Sequence, residues 1–211
     1  LHRSSGFPVL ALQTKTSDPS PVYLSAGIHG DEPAAPLALL HWAEANVPQL
    51  RQYPVLILPL LNPGGLVENT RTDPDGIDLN RAFHDPSLPL IAAWHELVSG
   101  RRFRAALCLH EDYDAQGCYA YELTRLQDQV ARAMLDAAAR AGIPTDPRRT
   151  IDGRRLDAPG LFRRRRPPAM PEEPEAITLV RSYTDLAITF ETPSEWSLHD
   201  RVAAHIAAID T

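Results

Sequence analysis

With 211 residues, 44% hydrophobic and 23% charged, the chain has the size and composition of one globular domain with a sizeable core. Its net charge of −6 gives no basic surface for nucleic acid, and no run approaches the ~20 apolar residues that span a membrane. Two cysteines, Cys108 and Cys118, are too few for a disulfide scaffold; each reads as a small apolar residue, with a single bridge between them left open.

In chain order, Phe7 to Gln13 reads as a first strand and Pro19-Ser20-Pro21 as a turn. Val22 to Ala26 is a second strand. After it come Ser25-Ala26-Gly27-Ile28-His29-Gly30-Asp31-Glu32 and a helix to about Asn46, with an apolar stripe through Leu37, Leu40 and Trp42 or their neighbours, stopped by Pro48. Val55 to Leu61 is a continuous apolar run, as suits a strand buried on both faces of a parallel sheet. Asn62-Pro63-Gly64-Gly65 signals a turn. Leu66 to His84 is polar and without period, and long irregular loops in compact domains tend to carry function.

Ser87 to Ser99 reads as a helix, with Ser87 as N-cap and Gly100 just past its end. Arg104 to His110 is a strand. Leu123 to Ala141 is an Ala-rich helix, stopped by Gly142 and Pro144. From about 145 to 180 the pattern collapses into a long irregular loop, with four arginines at Arg163 to Arg166 and an acidic, proline-rich Pro171 to Glu175. Asp185 to Glu191 is a strand and Ser194 to Ile209 a last helix. The alternation of strands and helices predicts a single domain, residues 1–211: a three-layer α/β sandwich around a mainly parallel, mixed central sheet.

In open α/β sheets, strand ends converge on one crevice. Here they carry His29 and Glu32, Asn62, His110 and Glu191. A neutral imidazole and a carboxylate two residues apart can hold one Zn²⁺, and a catalytic zinc takes three protein ligands, so His110 is the natural third. Read alone, Asp31 and Glu32 equally charge a helix start, and His110 equally serves as a structural histidine. His41, His84, His95, His199 and His205 fall in loops or helices and read as surface or core residues. Glu191, after an apolar strand, must face the crevice or be desolvated at a cost. Facing it, the carboxylate can take a proton from a metal-activated water; otherwise it charges the start of the last helix. Arg71, Asn80 and Arg81 in the polar loop suit an anionic substrate, by paired hydrogen bonds to a carboxylate and stabilisation of an oxyanion.

Taken together, His29-Gly30-Asp31-Glu32, Asn62-Pro63-Gly64-Gly65, Arg71, Asp78-Leu79-Asn80-Arg81, His110 and Phe190-Glu191-Thr192 resemble, in identity and order, the zinc carboxypeptidases of the M14 kind, over about residues 20 to 210. The resemblance implies an α/β sandwich with Zn²⁺ on His29, Glu32 and His110. It also implies that Arg71 polarises the scissile carbonyl, that Asn80 and Arg81 hold the terminal carboxylate, and that Glu191 acts as general base and later proton donor. The substrate would be a peptide or N-acyl amino acid with a free carboxylate. Two departures stand out: the chain is short for a digestive-type carboxypeptidase, and Leu156 to Arg181 lacks the tyrosine that closes over substrate in that family, leaving Tyr119, Tyr121 and Tyr183 as loose alternatives. The set also resembles the succinylglutamate desuccinylase and aspartoacylase group, which shares the H-G-x-E turn and D-L-N-R loop and cleaves N-acyl amino acids. The Asn62-Pro63-Gly64-Gly65 turn, and a chain that leaves no room for that group's C-terminal β domain, favour the peptidase. A third reading is a binding module that kept the fold and lost the activity; the filled core positions argue against it. The compartment expected is the cytoplasm, although a chain starting at Leu1 fits a removed leader too.

Overall fold

The computed structural model describes residues 2–4, 6–14, 20–127 and 129–211. Its elements, in order, are β1 (His2–Ser4), β2 (Phe7–Val9), β3 (Leu12–Gln13), β4 (Val22–Ala26), α1 (Ala34–Ala45), α2 (Val47–Leu50), β5 (Val55–Leu58), α3 (Pro63–Glu68) and α4 (Pro89–Val98). They continue with β6 (Ala105–Asp112), β7 (Tyr119–Thr124), α5 (Val130–Arg140), β8 (Thr150–Ile151), β9 (Arg154–Arg155), β10 (Leu161–Arg164), α6 (Glu175–Ser182), β11 (Leu186–Pro193) and α7 (Leu198–Ile209). Seven strands form the central sheet in the order β10-β7-β11-β6-β4-β5-β3. Four of its pairings are parallel, and β11–β7 and β3–β5 are antiparallel. No helix among the described residues is long and apolar enough to cross a membrane.

The sheet has two buried faces, and strand alternation assigns each side chain to one of them. Along β6, Ala106 and Cys108 pack with Tyr23, Trp94, Ile177 and Ala187, the layer under α4 and α6. Leu107 and Leu109 pack with Leu39, Leu135, Phe190 and Ala204, the layer under α1, α5 and α7. His110 and Glu191 continue the first alternation on β6 and β11, beyond the last apolar residues of that face.

Several segments depart from their sequence reading. The first strand is split into β2 and β3. The turn at Pro19-Ser20-Pro21 begins on Pro19, outside the described residues. The buried side of α1 is made of Ala34, Ala35, Pro36, Ala38 and Leu39, whereas Leu40 is 47% exposed. Small residues let that helix lie close to the sheet, so its buried stripe carries little hydrophobic contrast. Asn62-Pro63-Gly64-Gly65 opens a helix and not merely a turn: Asn62 Oδ1 accepts from the Gly65 amide at 2.8 Å, and Pro63 occupies the first turn, where no N–H is needed. Leu123 belongs to β7, and the helix starts at Val130. The region 145–180 is not structureless, for it holds β8, β9, β10 and the start of α6. Arg163 and Arg164 lie in β10: Arg163 pairs with the buried Glu122 at 2.6 Å, and Arg164 bridges to Asp157 and stacks over the Phe162 ring at 3.9 Å. Cys108 and Cys118 are both buried and free.

Candidate metal centre and cleft

The H-G-x-E turn is shaped by close approach. Gly27 has φ +64, a conformation that glycine adopts without cost. A Cβ at Gly30 would lie 1.9 Å from the Gly65 carbonyl carbon, so the turn sits directly on the α3 backbone. Its amide donates to Thr70 O at 2.9 Å, which ties the turn to the polar loop as well.

This turn and the end of β6 bring His29, Glu32 and His110 together, each at most 4% exposed. His29 Nδ1 lies 2.5 Å from Glu32 Oε1, and His110 Nδ1 lies 3.0 Å from Glu32 Oε2. The ligand atoms of the three residues all fall within 4.8 Å of one another. Two imidazoles and one carboxylate form a donor set of the catalytic-zinc kind, and their Nδ1 atoms face the same point. The other ring nitrogen of His29 is buried without a well-formed hydrogen bond, and Asp78 Oδ1 stands 3.4 Å from it. A carboxylate in that place could serve as the outer partner that orients a metal-binding histidine. The residues fit a zinc ion.

The charges of the cluster lean on one another. Burial pushes the Glu32 carboxyl up, but the two imidazoles outweigh it and hold it well below the usual carboxylate range. Burial lowers both histidines, and the carboxylates around them outweigh it: Asp78 and Glu32 raise His29, and Glu32 and Glu191 raise His110. Metal ligands must be deprotonated. Each imidazole therefore holds its proton to a pH above the ordinary ~6.5, and zinc must displace both protons below that point. Zinc affinity measured by competition with a chelator is expected to be level at alkaline pH. It should then fall with decreasing pH at a slope of up to about two decades per unit. A pH-independent affinity between about 8 and about 5.5, a window that brackets the ordinary histidine pKa, would contradict this site.

Glu191 is the Cα partner of His110 across β11 and β6, so the two side chains emerge on the same face. Burial pushes its carboxyl up; the His110 charge opposes this, while Glu32, Asp112 and Asp152 add to it. Glu111, its neighbour on β6, is committed elsewhere: it accepts from the Ala34 amide at 2.6 Å and pairs with Arg201.

The cluster opens into a cleft of about 780 Å³. Arg71, Asn80 and Arg81 line one flank of it. Arg71 Nε donates to Asp78 Oδ2 at 3.0 Å, and its Nη1 lies 3.3 Å from His29 Nδ1. Asn80 Oδ1 is taken by the Glu175 amide at 3.0 Å, which leaves the Asn80 Nδ2 hydrogens to donate. Arg81 is held only loosely, with Nη1 on the Asn80 carbonyl at 3.1 Å and Nε 3.8 Å from Glu172. The seven residues given a catalytic, binding or ligand role in sequence thus line one cleft, whereas Asn62 is buried as the cap of α3.

Sequence reasoning passed over Asp78, although it named the motif that contains it. Burial raises this carboxyl, and contacts with His29 and Arg71 overcome that and hold it far below the usual range. It passed over Tyr113 as well, an aromatic at the cleft mouth that is 75% exposed. Tyr119 and Tyr121 line the cleft, but their hydroxyls are given to Asp112 and Asp152. Tyr183 packs edge-on against Trp94 in the core. His205 is buried behind the sheet against Thr192, and burial lowers its pKa to about 3. The arginine run Arg163 to Arg166 lies outside the cleft lining.

Among solved structures, this chain is similar to a candidate metallopeptidase of Shewanella denitrificans at 25% identity and a TM-score of 0.83, over 99% of this chain and 79% of that one. It is similar to a metallo-carboxypeptidase of Burkholderia cenocepacia at 18% identity and a TM-score of 0.67, over 95% of this chain and 58% of that one. A metallo-carboxypeptidase of Pseudomonas aeruginosa, in complex with (2-guanidinoethylmercapto)succinic acid, is similar at 18% identity and a TM-score of 0.69, over 95% of this chain and 59% of that one. At the identities of the last two, the likeness shows the fold. No curated protein matches the chain. The profile of the succinylglutamate desuccinylase/aspartoacylase catalytic domain matches residues 19–147, well over half of the chain. With its metallocarboxypeptidase-like fold, the chain belongs to the succinylglutamate desuccinylase/aspartoacylase catalytic-domain family.

Proposed function

We propose that this protein is a zinc-dependent amide hydrolase that removes a C-terminal residue from a peptide, a metallocarboxypeptidase. The observation that carries the reading is the sharing of one cleft by the His29–Glu32–His110 cluster, the Glu191 carboxyl and an anion-binding flank of Asn80 and Arg81. Zinc held by His29, Glu32 and His110 would supply Lewis acidity and a water made acidic enough to lose its proton near pH 7. Glu191 would accept that proton at its carboxylate and return it to the leaving amine. Arg71, on the same flank, would donate to the oxygen that becomes negative in the tetrahedral intermediate. Asn80 and Arg81 would hold the substrate's carboxylate, the amide through Nδ2 and the guanidinium through its Nη2. Tyr121, Phe162 and Ile177 also line the cleft and would offer apolar surface to a substrate side chain.

The family match favours a second reading, hydrolysis of an N-acyl amino acid, and that reaction would use the same cluster, base and clamp. Substrate comparison on one preparation separates the two. For a carboxypeptidase, amidating the C-terminus is expected to abolish cleavage. Arg81→Ala is expected to lower kcat/KM on a free-acid peptide by about one to two orders of magnitude, as loss of a charge-assisted hydrogen bond costs. Efficient cleavage of the amidated peptide would remove the clamp assignment. Faster turnover of N-acetyl or N-succinyl amino acids than of dipeptides would give the second reading the preference.

A further inference from the structure

In sequence, Pro171 to Glu175 reads as an acidic, proline-rich excursion, yet Glu175 is 1% exposed. It is the first residue of α6, and its carboxyl turns to the sheet and does not cap its own helix. Two hydroxyls of β4 donate to it, Tyr23 Oη and, at 2.8 Å, Ser25 Oγ. The Trp94 indole N–H on α4 donates to the Tyr23 oxygen at 2.8 Å, which directs the tyrosine's own proton to Glu175. The Cys108 thiol on β6 contacts the same carboxyl. Ser25 precedes His29 by four residues, and Cys108 precedes His110 by two. One carboxyl thus ties together the two strands that end on the metal cluster. The amide of the same residue donates to Asn80 Oδ1 and so aims the Asn80 Nδ2 hydrogens.

Stability alone does not account for this arrangement. A buried carboxyl with no arginine partner among the described residues is costly, and a well-packed apolar side chain would fill the place more cheaply. What only Glu175 provides is a fixed span between the cluster and the Asn80 amide.

We propose that Glu175 is a positioning residue: through its carboxyl on β4 and β6 and its amide on Asn80, it sets the distance between the metal cluster and the carboxylate-binding amide. The proposal rests on the role given to Asn80 above. Two variants test it, Glu175→Gln and Glu175→Leu, each followed by NMR hydrogen exchange of the residue 175 amide and by steady-state kinetics on a free-carboxylate substrate. In Glu175→Gln the side-chain oxygen still accepts from Tyr23 and the side-chain amide still reaches Ser25, so protection and KM should match the unaltered protein. In Glu175→Leu the exchange rate of that amide should rise at least about tenfold. There KM should also rise about tenfold, with kcat and zinc content unchanged. A purely structural role would lower Tm in Glu175→Leu and leave both the amide protection and KM as they were, and that result overturns the proposal. Should Glu175→Leu not fold, Tyr23→Phe, which removes one donor at constant volume, is read in the same way. If the unaltered protein cleaves no free-carboxylate substrate, the proposed function fails, while the exchange comparison still decides the role of Glu175.

Discussion

Replacing Glu191 by glutamine is expected to lower kcat by at least about 10²-fold with zinc content unchanged, the size of effect that follows removal of a general base. Glutamine keeps the shape and the hydrogen-bonding oxygen, so what is lost is the proton acceptor. The register of β11 against β6 sets Glu191 beside His110, on the cleft face of the sheet. Burial and the neighbouring carboxylates raise its affinity for a proton, which brings a carboxylate towards the range useful for base catalysis near neutrality. Among the described residues, the acids beside it on β6 and the carboxylates that raise its proton affinity are engaged elsewhere, and Asp31 is the further acid of the cleft lining. Glu111 is held by the Ala34 amide and Arg201, Asp112 by Tyr119 and Arg148, and Asp152 by Tyr121. The measurement is kcat together with metal analysis of the same sample. Near-normal turnover with full zinc would place the base elsewhere.

His110→Ala is expected to weaken zinc binding by well over the 10–100-fold (roughly) that loss of an outer partner costs. It removes one of three ligands and leaves Glu32 facing His29 alone. Asp78→Asn, which alters only the outer partner of His29, should fall within that ~10–100-fold range. His205→Ala should leave zinc binding as it was, because His205 lies behind the sheet with Thr192. These three variants, compared by chelator competition, rank the histidines by their place at the centre and not by burial, since His110 and His205 are both buried. Full zinc retention in His110→Ala would refute the assignment of the cluster.

The parts of this molecule legible in sequence are those where one physical signal dominates. β4, β5, β6 and β11 are apolar runs buried on both faces, and His29, Glu32, His110 and Glu191 stand at or just past the ends of β4, β6 and β11. The parts that escaped are those where distant segments cancel one another's polarity. β7 contains Glu122, which breaks an apolar pattern, but the fold neutralises it with Arg163, 41 positions away, and with the Ala131 amide at the start of α5 at 2.8 Å. Arg163 and Arg164, read alone as a charge run, are for the same reason part of β10. Glu175 reads as part of an irregular loop because its partners, Tyr23, Ser25 and Asn80, lie about a hundred or more positions earlier in the chain. Asp78 stayed hidden because a carboxylate next to Asn80 and Arg81 reads as a local cap, which it also is, on the Asn80 amide at 3.0 Å.

The double attachment of Asp78, one oxygen towards His29 and the other on Arg71, joins the candidate metal cluster to the arginine proposed to act on substrate. Two sites that draw on a single carboxylate are thermodynamically linked, and the linkage is reciprocal. Under the proposed function, an anion that draws Arg71 away from Asp78 would free negative charge to face His29 and make that imidazole a stronger donor to a metal. By the same factor, a metal bound at His29 favours the anion. Under that reading, occupancy of either site would report on the other.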